Sequence, residues 1–565
     1  MKYADLVQLY ESLEGTPKRL EKIALLAAFL KKTPPAQLES VILLLQGLVF
    51  PRHAEQKIGI AERSVIKALS VASGKSIEEV ERQWKKIGDL GEVARAAIQK
   101  KSQSTLFSSH LTVQKVFANL RELAVLEGAG TMDRKISLIT ELLAAATGTE
   151  AKYIIRTLLE DLRIGVQEGV LRDSIVAAYF PGQEKEHALV VQDAYDKTND
   201  FGKVAQLAAQ GRITSLKGIS IQPFHPVKVM LFPKAKDIED AFATVGKPAA
   251  LEFKYDGFRL QCHKSGNKVR LFTRRLEDVT RQFPDVASFV QQHVSGKSFI
   301  LDSEAVGYDA ATKQYLPFQS ISQRIKRKYG IEGMVKQYPV EVNVFDILEY
   351  EGKSLLNEPF IERRKLLKKI VHERPKQIIL ARQIVTDSMQ EAESFFKESL
   401  RAGEEGVMAK SLQGIYKPGS RVGYGVKIKA EAETLDLVIV GAEWGTGKRA
   451  AWLSSFTLAC RSGDKFLEIG KVGTGIKEKE GEEGVTFQQL TRLLRPLIAE
   501  DRGKEVAIRP EVVIEVGFEE IQKSPTYSSG YALRFPRLVR IRDDKGIHDA
   551  SELKYVERLY RQQKR

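Results

Sequence analysis

Glu252-Phe253-Lys254-Tyr255-Asp256-Gly257-Phe258-Arg259 is the stretch that decides the reading of this chain. Leu251, Phe253 and Tyr255 alternate with other residues, which predicts a strand, and Asp256-Gly257 predicts a tight turn before the next one. A lysine at such a turn can face a pocket and act as a nucleophile. Alone, the string reads more readily as a hairpin carrying a surface lysine.

Six further segments follow in order: Thr273-Arg274-Arg275, Leu301-Asp302-Ser303-Glu304-Ala305, Val344-Phe345-Asp346-Ile347-Leu348, Glu405-Gly406-Val407-Met408-Ala409-Lys410, Val426-Lys427-Ile428-Lys429, and Arg534-Phe535-Pro536-Arg537 through Arg540-Ile541-Arg542-Asp543-Asp544-Lys545. With the first stretch they resemble motifs I, Ia, III, IIIa, IV, V and VI of the covalent nucleotidyltransferases. The resemblance covers nearly the whole chain and is nearest to the ATP-dependent DNA ligases of the archaeal and eukaryotic replicative type.

The resemblance implies roles residue by residue. Lys254 attacks the α-phosphate of ATP and becomes the AMP carrier. Glu252 accepts from the adenine amine, and Phe345 stacks on the ring. Arg259 and Glu304 hold the ribose. Glu304 and Glu405 place magnesium or manganese, hard cations that suit carboxylate oxygen. Lys427 and Lys429 contact the AMP phosphate, and Arg274 grips the 5′-phosphate of a nick. Arg534, Arg540 and Lys545 belong to the segment that orients the pyrophosphate, which implies a closing and an opening movement. A free lysine has a pKa of about 10.4, so deprotonation at pH 7 costs roughly 4.6 kcal/mol. Arg259, Lys427, Lys429 and a bound metal are the cations expected to offset that cost.

Outward from this centre the chain divides into residues 1–215, 216–430 and 431–565. The expected fold is multidomain: an all-α DNA-binding region, an α+β adenylation region and a β-barrel of OB type. In the first region Leu20, Ile23, Ala27 and Leu30 repeat at helical spacing, Thr33-Pro34-Pro35 breaks the pattern, and a further helix covers 133–146. Leu162-Arg163-Ile164-Gly165 interrupts the helices, and the resemblance implies that Arg163 and Gly165 approach the DNA minor groove. Gln103-Ser104-Thr105-Leu106-Phe107 resembles a sliding-clamp-binding segment, with Gln103, Leu106 and Phe107 as anchors. Gly218, Pro223, Pro226 and Pro233 mark a linker. In the last region, short strands near 435–440, 456–460, 466–469 and 512–516 suggest a barrel of about five strands. Residues 551–565 read as a solvated basic helix. Gly445-Thr446-Gly447-Lys448-Arg449 lacks P-loop spacing, and Lys448 and Arg449 are read as DNA-backbone contacts.

The chain has 565 residues and a net charge of +15. That excess favours a polyanionic partner, and the resemblance specifies nicked duplex DNA. Only two cysteines, Cys262 and Cys460, are present. They cannot form a four-cysteine zinc site, which disfavours an NAD-dependent ligase. The longest apolar run, residues 23–30, is too short for a membrane span, and the reading is an intracellular, cytoplasmic monomer. An RNA ligase or capping enzyme is the nearest alternative; a binding factor with a decayed site is the alternative of another class. One departure stands out: Tyr424-Gly425-Val426 precedes Lys427, where the family pattern has a tryptophan.

Overall fold

The computed structural model describes residues 1–54, 56, 58–99, 111–126, 130–182, 184–316, 318–325, 327, 330–429, 433–445, 449, 451–478 and 484–563. The chain forms two compact units, Met1–Lys429 and Ala430–Arg565.

The first half of the larger unit is helical, from Tyr3–Glu14 to Ile213–Lys217. Its helices bury their apolar stripes in one continuous core. Helix Arg19–Lys32 keeps most of the expected stripe: Ala27 and Leu30 are buried and Ile23 packs against the core, joined by Lys22 and Leu26, whereas Leu20 is 76% exposed. Lys22 is accommodated on the buried side because its Nζ donates to the carbonyl of Ile164 at 2.6 Å. The helix expected over 133–146 runs Thr131–Ala145, and the next, Gly148–Leu158, begins at a capping box. Thr147 accepts from Glu150 N at 3.3 Å, and Glu150 accepts from Thr147 N at 2.8 Å.

The second half of this unit holds two sheets. Strands β1 (Ala249–Lys254), β2 (Phe258–Ser265), β3 (Lys268–Thr273), β4 (Ser298–Tyr308), β5 (Tyr315–Leu316), β6 (Val340–Tyr350), β7 (Lys353–Ser354), β8 (Ile378–Leu380), β9 (Gln383–Thr386), β10 (Gly406–Ser411) and β11 (Gly425–Lys429) supply them. One sheet has the order β11-β10-β1-β9; the other runs β3-β2-β4-β6-β7, with β5 on β4 and β8 on β6. β1 and β2 therefore do not form a hairpin: the turn after Lys254 carries the chain from one sheet to the other. Leu251, Phe253, Val407, Ala409, Val426 and Ile428 pack one face of the first sheet into a core with Phe242 and Phe395. Phe258, Leu260, Leu301, Val342 and Val344 build the core of the second. The faces left over carry the polar residues of the motifs. The proline-marked linker is packed rather than free, since Val227 and Met230 are buried with Ile300 and Tyr416.

The smaller unit has β12 (Thr434–Trp444), β13 (Leu453–Ser462), β14 (Lys465–Val472), β15 (Ile498–Asp501), β16 (Glu505–Ile508), β17 (Val513–Gly517), β18 (Glu520–Lys523), β19 (Tyr531–Arg534) and β20 (Arg537–Ile541). These nine among the described residues exceed the expected five, because turn glycines and short polar strands hid the additional pairs. β12 is shared: Thr434–Val438 pairs with β17 and Gly441–Glu443 with β16, while β13 lies on its other edge. That branching curls the sheet around a core that includes Cys460. The last helix, Leu553–Gln562, is docked rather than merely solvated: Val556 and Leu559 enter the same core at 0% and 4% exposure.

Candidate active site

Antiparallel pairing puts directly opposed residues on the same face of a sheet, and alternate residues along a strand share it. Lys254 lies opposite Gly406, which lies opposite Lys429. Glu252 lies opposite Met408, and Met408 opposite Lys427; Glu252 also faces Gln383 on β9. One face of the first sheet thus presents Glu252, Lys254, Lys427 and Lys429, together with Lys410.

The second sheet answers with Arg259, Asp302, Glu304 and Phe345. Arg259 is directly opposite Glu304. The β4–β6 register shifts between Asp302 and Ser303, so that Asp346 and Val344 are paired while Phe345 between them is extra. A shift of this kind re-aims a side chain. Phe345 leaves the core packed by Val342 and Val344 and instead meets the Arg259 guanidinium, 5.3 Å from the ring centre, and Lys410, at 4.7 Å. Gly257 makes the crossing turn possible, since a Cβ there would stand 2.4 Å from the carbonyl oxygen of Ala305.

Lys254 and Lys429 share one carboxylate oxygen of Glu405. Lys254 Nζ makes a short hydrogen bond to Oε2, and Lys429 Nζ lies 2.7 Å from it. The backbone N–H of Glu405 donates to the carbonyl of Lys254 at 2.9 Å. The nearest charge to Lys254 is thus negative, one of the two carboxylates expected to hold the metal, and it stands between the nucleophile candidate and Lys429. Burial works to raise the Glu405 pKa, but the two ammoniums outweigh it and hold it below the usual carboxylate range. Burial and the ammoniums of Lys254 and Lys429 depress Lys427. Glu304 is pushed up to about 8 by burial, against the pull of Lys254 and Arg259.

Several groups at this site had no assigned role in the sequence reading. Asp302 receives Arg259 on both oxygens, at 2.9 and 2.6 Å, and the hydroxyl of Tyr416 at 2.9 Å. Arg259 also donates to the Met230 carbonyl at 2.9 Å. Glu404 lies behind the lysine turn and accepts from Asp256 N at 2.9 Å. Asp302 and Lys410 sit inside quoted motifs, but Gln383, paired with Glu252 by sheet register, Tyr416, in the segment between β10 and β11, and Arg364, on the helix Phe360–Ile370, carry no local signal.

Other expected site residues lie elsewhere. Arg274 is exposed just after β3, and its charge is felt at Lys427. Arg163 has φ 58° and is paired with Asp161 at 2.7 Å. A Cβ on Gly165 would meet the Lys22 ammonium at 2.5 Å, so the space it leaves is filled by that side chain. Arg534 pairs with Glu520 at 3.1 Å, Arg540 with Glu515 at 2.7 Å, and Lys545 with Asp436 at 2.6 Å, all inside the smaller unit. Arg449 donates to Glu478 at 2.8 Å. Tyr424 is half-buried beneath Lys417, 5.5 Å from its ring. Lys448, Gln103, Leu106 and Phe107 lie outside the described residues.

Among the described residues no group of three or more histidine, cysteine or acidic side chains is arranged to hold a metal ion. Glu304 and Glu405 offer hard oxygen donors in the cleft. They fit a magnesium ion that keeps waters and takes nucleotide phosphate oxygens, rather than an all-protein cage. Nor is any described helix long and apolar enough to cross a membrane.

A two-sheet cleft lined by lysines, followed by a curled strand-rich unit, defines a nucleotidyl-transferring enzyme. Three family models match in order: DNA ligase N terminus over residues 2–176, ATP dependent DNA ligase domain over 229–429, and ATP dependent DNA ligase C terminal region over 449–545. A DNA ligase of Nanoarchaeum equitans is 47% identical, covering 100% of this chain and 99% of its own. A DNA ligase of Thermococcus fumicolans is 42% identical with the same coverage. The solved structure titled Pmar-Lig_PreS3 shares the fold at TM-score 0.54 and 17% identity, over 95% of this chain and 99% of its own. The chain belongs to the ATP-dependent DNA ligase family. It seals nicks in DNA with ATP as the energy source.

Proposed function

We propose that Lys254 is the nucleophile of this reaction. The observation that carries the reading is the Lys254–Glu405–Lys429 cluster at the mouth of the two-sheet cleft. Lys254 attacks the α-phosphate, the P–O bond to pyrophosphate breaks, and AMP stays on Nζ. An oxygen of the 5′-phosphate at a nick attacks that AMP, the P–N bond breaks, and the Lys254 amine is released. The 3′-hydroxyl then displaces AMP and closes the backbone.

Glu252 accepts from the adenine amine, Phe345 stacks on the ring, and Arg259 with Glu304 holds the ribose. Lys427 and Lys429 neutralise the phosphate oxygens as charge builds on them. Glu304 and Glu405 hold magnesium or manganese, which supplies further neutralisation of the phosphates when bound. Arg274 holds the nick phosphate. Arg534, Arg540 and Lys545 orient pyrophosphate after exchanging their carboxylate partners for it. Arg163, Gly165, Lys448 and Arg449 contact the duplex, and Gln103, Leu106 and Phe107 bind a sliding clamp. Residues 1–215, 216–430 and 431–565 act as DNA-holding, adenylating and closing regions of a monomer.

Incubation with α-labelled ATP and magnesium tests the core of this reading. A labelled covalent band is expected that discharges when nicked duplex DNA is added. Lys254→Ala abolishes the band while leaving DNA binding mostly intact; a band retained in that variant removes Lys254 from the mechanism.

A further inference from the structure

Glu252 faces the cleft two residues before Lys254, yet it is 1% exposed and already engaged. Lys410 Nζ lies 2.5 Å from its Oε2, Gln383 Nε2 donates to Oε1 at 2.8 Å, and Arg364 Nη1 stands 3.6 Å from Oε1. Arg364 directs its hydrogens elsewhere, to the carbonyls of Val344 at 3.3 Å and Ala381 at 2.5 Å. Lys410 is therefore the close counter-charge. Its ammonium is also held between two rings, 4.7 Å from Phe345 and 4.6 Å from Phe360.

A carboxylate can read a base amine only while it is ionised and fixed, because it must be a pure acceptor in one direction. A buried carboxylate without a counter-charge is not held in that form. Lys410 supplies the charge, and Gln383, directly opposite Glu252 in the sheet register, fixes the carboxylate plane. Small neighbours leave room for the long side chain, since Lys410 lies between Ala250 and Gly425 in its row.

We propose that Lys410 is a positioning residue which, with Gln383, holds Glu252 as the acceptor for the exocyclic amine of the base. Selectivity for a 6-aminopurine then belongs to three residues rather than to Glu252 alone. Because the same ammonium touches Phe345, it also ties the acceptor to the stacking ring across the two sheets. The inference rests on the reading of Glu252 and Phe345 as base contacts.

The test is a cycle between residue and ligand. Covalent labelling rates are measured on the full chain with magnesium, using ATP and purine riboside triphosphate, which lacks the amine. The wild type is expected to favour ATP by on the order of 10- to 100-fold, the worth of a hydrogen bond to a charged acceptor. Lys410→Met brings that ratio below about threefold, and Lys410→Arg keeps most of it. The ratio is taken on one preparation, so the folded fraction cancels. If Lys410→Met slows both nucleotides equally and the ratio survives, Lys410 only packs and the proposal is overturned. If the wild type ignores the amine, the reading of Glu252 has failed instead. Should Lys410→Met give no labelling at all, Gln383→Leu carries the test: a reduced ratio supports the proposal, and an intact one overturns it.

Discussion

Arg259 illustrates what one residue owes to its partners. Its guanidinium is a rigid fork, and Asp302 matches it with two oxygens while Tyr416 steadies the carboxylate from behind. Asp302→Asn removes the charge and half of the fork. Adenylation is expected to fall on the order of tenfold or more, with the loss concentrated in the KM for ATP, since a buried charged hydrogen bond contributes about 1.5–3 kcal/mol. Labelling rates across a range of ATP concentrations check this; an unchanged KM would separate Arg259 from nucleotide binding. The lysine motif and its companions were legible residue by residue because each lies in a short string. Asp302 was visible but had no assigned role. Tyr416 and Gln383 were invisible, because each meets its partner more than a hundred residues away, Gln383 through sheet pairing and Tyr416 through the fold of the segment after β10, and no local pattern encodes either.

Elements show a similar limit. β6 was legible from Val340, Val342 and Val344, but the register shift that frees Phe345 was not, because alternation alone does not reveal an extra residue. The stripe on Arg19–Lys32 held at Ala27 and Leu30 but not at Leu20, which lies exposed in the first turn of the helix. Helix Gly148–Leu158 carries the clearest energetic consequence. Lys152, 4% exposed, meets Glu11, Glu14 and Glu92 at 3.0, 3.0 and 2.8 Å. Beside it Arg156 joins Glu14 at 2.9 Å and Asp89 at 2.6 Å. The network ties helices Tyr3–Glu14, Leu90–Gln99 and Gly148–Leu158 together. Removing Lys152 leaves Glu14 with Arg156 but Glu11 and Glu92 with only distant cations, Arg95 at 3.7 Å and Arg156 at 3.8 Å, so Lys152→Met is expected to lower stability by about 2 kcal/mol. Denaturant unfolding followed by circular dichroism measures it; a loss under about 0.5 kcal/mol would mean that water compensates the carboxylates fully.

At the scale of the molecule, acid should act through the packed linker. His263 is fully buried; its Nδ1 accepts from Phe224 N at 3.0 Å, and its pKa is pushed down to about 3 by burial and by the nearby charges of His225 and His53. The folded ring stays neutral while the unfolded ring takes a proton below about 6.5, so stability is complete above that pH and is lost as pH falls toward 3. Between pH 7 and pH 5 this residue alone should cost about 2 kcal/mol. His263→Asn keeps an acceptor near the Nδ1 position, and its unfolding midpoint should fall less steeply over that interval; parallel slopes in the two proteins would exclude the histidine as the cause.

The larger unit ends at Lys429, which is also the last residue of β11 and one of the two lysines on Glu405. β11 is the terminal strand of its sheet. Tension applied through the connection to the smaller unit therefore enters at the end of β11, beyond the hydrogen bonds by which Lys427 is held to Pro233 and Ala235 on its outer side. The first rung to carry that load is Lys429 with Gly406, the rung that leads on to Lys254. A mechanical pull on the chain would thus reach the chemistry before it reached either core, and an optical-trap trace should show adenylation stalling at forces well below those that unfold the sheet.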